Sequence, residues 1–250
     1  MKKILMVFAL VILCVNQAQA AENPPLRIAV AANFSATAEE IAKDFWKKEG
    51  IKTEVISGSS GKLAGQIIQG APFDVFLSAD RAHLQELVRR GLVHEDALYD
   101  YAIGILVFFG QETTAERALE KQISSCRKLA IANPENAPYG KAALQTLDHL
   151  KLRDAVKERL VMGESIGQAM SFIESGAADC GFIALSQVKG VEGWDGRYVV
   201  IHETMHEKLV QSAVVLEKSS QQDAARKFIA YLLNKTTRAR IIREAGYELP

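Results

Sequence analysis

Residues 57–80 read SGSSGKLAGQIIQGAPFDVFLSAD, and the order of elements in this stretch sets the fold class. An apolar, β-branched run with Thr53, Val55 and Ile56 stops just before it. Four small residues follow, Gly58, Ser59, Ser60 and Gly61, and then Leu63, Ala64, Ile67 and Ile68 recur at helical spacing. The pattern is strand, tight polar loop, helix. The first turn of a helix presents backbone N–H groups without intrahelical partners, and the macrodipole adds partial positive charge there. Hydroxyls beside such a terminus, with glycines that let the backbone come close, suit an anion. After Gly70 and Pro72 a second strand, 73–77, ends in Ser78-Ala79-Asp80 ahead of another helix.

A plainer reading has Ser59 or Ser60 capping the helix and doing nothing else. Nucleotide signatures are missing. Lys62 follows a single glycine with no Ser or Thr after it, and the dinucleotide fingerprint spacing is not present.

The first twenty residues read as a leader for export. Lys2 and Lys3 precede an apolar run over 4–15, and Ala18-Gln19-Ala20 fits a signal-peptidase site. The run is too short for a lasting membrane anchor, and Leu13 before Cys14 disfavours lipid attachment. Export with cleavage of the leader is expected. The whole chain balances 30 basic against 30 acidic side chains; without the leader's two lysines, 28 face 30 and the charge is −2. Such a chain offers no general attraction to nucleic acid. Any anion must be held locally. Beyond the leader, Cys126 and Cys180 permit one bridge in an oxidising compartment.

The rest of the chain alternates strands and helices. A strand near 26–32 ends in Asn33-Phe34-Ser35 and leads into a helix carrying Ala38, Ile41, Ala42 and Phe45, closed by Gly50. The β-α-β-α-β-α order implies a parallel sheet, whose ligands sit beyond the carboxyl ends of the strands. Asn33, Ser60 and Ala79 all fall there. Residues 103–109 form an apolar strand with the first crossover near its start. The rhythm then repeats through 129–132, the loop 133–140, helices near 141–150 and 152–159, the turn 163–166, a helix to Gly176 and a strand at 180–185. An extended run near 197–201 precedes 209–216, the strand that returns to the first lobe, and helices near 220–234 and 236–244 finish the chain.

The runs AANFSATAEEIAKDF from Ala31, SGSSGKLAGQIIQGAPFDVFLSAD, NPENAPYGKAAL from Asn133, GESIGQAMSFIESGAADCGFIAL from Gly163 and AARKFIAYL from Ala224 resemble the periplasmic molybdate-binding proteins, soluble receptors of ABC-type molybdate importers. The resemblance covers nearly all of the chain after the leader. It implies an α/β, two-lobed type II periplasmic binding protein fold, each lobe a mostly parallel sheet flanked by helices, with lobe I over 21–103 and 213–250 and lobe II over 104–212. It implies no enzyme activity and no cofactor, a monomer, and a membrane permease as partner. The ligand would be molybdate or tungstate. Carried over position by position, Asn33 offers its side chain, Ser60 its hydroxyl and backbone, and Ala79 and Ile166 their backbone N–H groups. A tyrosine completes the family's site. Some members place it at the position of Ala184, whereas this chain offers Tyr139 in the APYG loop, as other members do.

These are neutral donors at or near helix starts, suited to an anion that donates nothing itself. Hydrogen phosphate would need a facing acceptor. Two other functions compete. A receptor for another solute, such as sulfate or iron, shares the architecture, although iron would call for clustered tyrosines and carboxylates. His202-Glu203-Thr204-Met205-His206 matches the H-E-x-x-H pattern of zinc hydrolases, which requires a helix. Strand-like runs on both sides leave that helix little room.

Overall fold

The computed structural model describes residues 24–110, 118–194 and 196–250. The leader expected over 1–20 lies outside them. Two five-stranded sheets, each flanked by helices, form two lobes.

The first lobe opens with β1 (Leu26–Ala31), α1 (Ser35–Glu49), β2 (Thr53–Gly58), α2 (Ser60–Ile68), β3 (Val75–Ser78), α3 (Ala82–Arg89) and β4 (Tyr99–Gly104). Thr37, Ala38, Ile41, Ala42 and Phe45 form the buried stripe of α1, and left-handed Gly50 closes it by donating to the Trp46 carbonyl. The second lobe holds β5 (Leu106–Gly110), α4 (Leu119–Ser125), β6 (Leu129–Ala132), α5 (Pro138–His149), α6 (Arg153–Val156), β7 (Leu160–Gly163), α7 (Ile166–Glu174), β8 (Cys180–Ala184), α8 (Leu185–Val188) and β9 (Tyr198–Val200). Strand β10 (Leu209–Val215) and helix α9 (Gln222–Leu233) return to the first lobe.

The first sheet runs β2-β1-β3-β10-β4 and the second β7-β6-β8-β5-β9. In each, three strands are parallel, β2-β1-β3 and β7-β6-β8, as the helical crossovers require. The other pairings, β10 with β3 and β4, and β5 with β8 and β9, are antiparallel. They involve the segments that pass between lobes.

The apolar run 103–109, read as one strand, is broken at Ile105. Its first part belongs to one sheet and its second to the other. The return strand also joins the first sheet earlier than the expected boundary at 213, because Leu209 already pairs with Gly104. Cys126 and Cys180 form a disulfide with Cα atoms 6.1 Å apart, at the amino ends of β6 and β8.

Candidate functional site

The five expected site residues come from distant parts of the chain and are all nearly inaccessible, at most 4% exposed. Asn33 lies in a short 3-10 turn after β1. Ser60 is the first residue of α2, Ala79 follows β3, Tyr139 sits in the first turn of α5, and Ile166 opens α7. Each occupies the carboxyl end of a strand or the helix start beyond it. Helix starts from both lobes come together, Gly61 of α2 against Asn136 ahead of α5 and Gly167 of α7 close to Ala32, and bring their positive dipole ends with them.

Local sequence explains these placements. Pro138 takes the first position of α5, where its missing N–H costs nothing. A Cβ on Gly140 would strike the Ala132 carbonyl, so this glycine lets α5 lie against β6. Ser165 caps α7 by accepting from the Gln168 N–H at 3.3 Å. Ser59, at the cap position of α2, makes no capping bond. Its hydroxyl is buried without a protein partner, so the simple capping role fails for this residue.

Ser60 Oγ accepts from the Ala79 N–H at 3.0 Å, which leaves the serine proton free to donate outward. The Ala79 N–H, expected to be free for a ligand, is thus engaged within the protein. The same holds for Asn33. Its Nδ2 donates to Gln211 Oε1 at 2.8 Å and to the Tyr247 hydroxyl at 3.1 Å. Both N–H groups expected for a ligand are therefore spent, and Asn33 Oδ1 is left buried without a partner. For either residue to donate to a ligand, one of these bonds must be exchanged.

The Tyr139 hydroxyl is likewise buried, with the Asn33 side chain beside it. Burial pushes its phenol well above the usual tyrosine range; Tyr247 and Tyr101 add to this, and the nearby Asn33 side chain offsets it. The group stays a neutral donor. Position 184, the alternative tyrosine position, ends β8 and gives its N–H to Gln187 Oε1 at 2.9 Å. Gln187 Nε2 also donates to the Ile166 carbonyl at 3.1 Å, fixing the start of α7.

The lobes meet around these residues. Gly61 N–H donates to the Asn136 carbonyl at 2.8 Å, and Ser186 Oγ to the Asn33 carbonyl at 2.9 Å. Tyr247 donates to that same carbonyl at 2.6 Å and lies 2.9 Å from Ser186 Oγ. Lys62 pairs with Glu164 across the rim. The cleft is closed.

The model of the bacterial extracellular solute-binding protein family matches residues 26–248. The chain belongs to that family. Among solute-binding relatives, molybdate-binding protein ModA of Azotobacter vinelandii is 37% identical over 240 residues, 93% of this chain and 92% of that one. ModA of Rhodobacter capsulatus is 37% identical over 88% of this chain and 86% of its own length. The solved periplasmic molybdate-binding protein of Azotobacter vinelandii superposes with a TM-score of 0.84 at 36% identity, covering 90% of this chain and 99% of that one.

The solute-binding fold accounts for the H-E-x-x-H run. Glu203–Met205 is a single 3-10 turn, and His206 is extended. The histidine rings bond locally, His202 to Thr204 and His206 to the Glu207 carbonyl. Among the described residues no three His, Cys, Asp or Glu side chains are placed to hold a metal ion. The helix that zinc hydrolysis needs is not formed.

Gln211, Gln187, Ser186, Tyr247 and Gly104 went unread in the sequence. Only Gln211 carried a signal, as an amide inside the apolar strand LVQSAVV.

Proposed function

We propose that this chain is a periplasmic receptor that closes its two lobes over molybdate or tungstate and delivers the anion to the permease of an ABC importer. It acts as a monomer and catalyses nothing. The reading rests on one observation above all: helix starts from both lobes converge on a buried place lined by hydroxyl and backbone N–H groups, with no ionised side chain among the five positions. Ser60, Tyr139 and Ile166 would donate to the anion, and Asn33 and Ala79 would join them by exchanging a bond. A fully deprotonated tetrahedral dianion suits such a donor set because every one of its oxygens accepts. Similarity to ModA proteins along most of the chain supports the same ligand. The lobe division that fits the strand pairing runs through Ile105 and just before Leu209.

Titration calorimetry of the leader-free protein with molybdate, tungstate, sulfate and phosphate tests the proposal. Tight, one-to-one binding of molybdate and tungstate with much weaker sulfate binding is the expected result. Sulfate binding as tight as molybdate would favour a receptor for sulfate.

A further inference from the structure

Gln211 is fully buried on β10, a strand that passes between lobes, at a point where its register with β4 shifts. Such irregularities re-aim a side chain. Here the amide is aimed at the cleft. Its Nε2 donates to the Ala79 carbonyl at 3.1 Å and to the Leu209 carbonyl at 3.0 Å, while Oε1 accepts from Asn33 Nδ2 at 2.8 Å. Those bonds fix the orientation of the amide, since a flip would set its oxygen against two carbonyls. Through the amide they fix Asn33 as well. A Cβ added to Gly104 would meet both Gln211 Nε2 and the Tyr139 hydroxyl, so this amide and the second-lobe tyrosine share one small space.

We propose that Gln211 is the positioning residue of the first-lobe half of the site and that, by holding Asn33 and Ala79 in place, it sets discrimination by anion size. The inference rests on the oxyanion-receptor reading above. Donors held rigidly at the spacing of a large tetrahedral anion cannot follow a smaller one inward; donors freed from their anchor can. Gln211 touches the ligand-facing residues from behind. It acts through them.

The test is a double-mutant cycle read by calorimetry with molybdate and sulfate: wild type, Gln211→Met, Asn33→Ala and the double variant, with unfolding midpoints of the ligand-free proteins. Gln211→Met keeps length and volume and removes the amide. It is expected to weaken molybdate binding about tenfold or more, the scale of one lost buried hydrogen bond. Sulfate should lose less, so that the preference narrows. In the Asn33→Ala background the same change should cost clearly less, because coupled residues are not additive. Should the methionine variant not fold, Gln211→Asn, too short to reach both Asn33 and Ala79, gives the same readout. Equal loss for both anions, or equal cost in both backgrounds, would mark a merely structural residue and overturn the inference. Wild-type protein that binds neither anion overturns the receptor reading and this inference with it. Wild-type binding that the variant leaves unchanged overturns the inference alone.

Discussion

Gly104, the last residue of β4, lies directly against the hydroxyl of Tyr139, which reaches it from the other lobe; a Cβ at this glycine would occupy the same space. The constraint is steric, because Gly104 is not among the positive-φ glycines. Gly104→Ala should therefore hold the lobes apart. Expected are molybdate binding weakened about tenfold or more, together with the overpacking cost of about 1–3 kcal/mol if the closed state is forced. Small-angle scattering with saturating molybdate checks this: the variant should keep a larger radius than the wild type.

Tyr139→Phe removes a hydroxyl and keeps the ring. The expected loss is about tenfold or more in affinity, near the lower end of about 1.5–3 kcal/mol for a hydrogen bond to a charged group. Calorimetry with molybdate measures it. An unchanged dissociation constant would mean that the hydroxyl does not reach the ligand.

Ser60→Ala removes both the outward donor and the acceptor that holds the Ala79 N–H. A loss of about 10- to 150-fold in molybdate affinity is expected, again from about 1.5–3 kcal/mol. If affinity holds while the unfolding midpoint drops, Ser60 serves only the fold.

Three buried tyrosines make the fold sensitive to alkali. Tyr101, Tyr139 and Tyr247 all have phenols raised above the ordinary value, in each case chiefly by burial. Their folded values exceed the unfolded value of about 10, so their stability is fully present below about pH 10. It is lost as pH rises further, because the unfolded chain then releases protons that the folded chain keeps. Each contributes a slope of about −1.4 kcal/mol per pH unit in that range. Unfolding midpoints should stay level up to about pH 9 and fall steeply above about pH 10, with Tyr101→Phe less steep than wild type.

The Cys126–Cys180 bridge closes a long loop, with a sequence separation of 54, at the strand ends away from the ligand. Replacing both cysteines by alanine should cost about 2–4 kcal/mol of stability. Molybdate affinity at a temperature where the variant is folded should be unchanged. A large affinity loss would show that the bridge reaches the cleft.

The sequence by itself determined the order of elements, the two helix starts that follow β2 and β3, and the neutral character of the donors. These are local properties: apolar spacing marks each helix, and Gly50, Pro138 and the Ser/Gly loop punctuate the chain where backbone geometry demands it. Ser60, Ala79 and Tyr139 became candidates through the family resemblance, and local pattern placed each of them at a strand end or helix start. Tertiary structure alone decided where 103–109 breaks. Every residue there except Gly104 is apolar, and hydrophobicity cannot say which of two sheets will cover a given residue. It also decided how Asn33 is held. Gln211 and Tyr247 reach it across 178 and 214 residues of sequence, and no local pattern encodes such a meeting. An amide shows its acceptor or its donor according to the partners folding brings to it, so the state of the site is a property of packing.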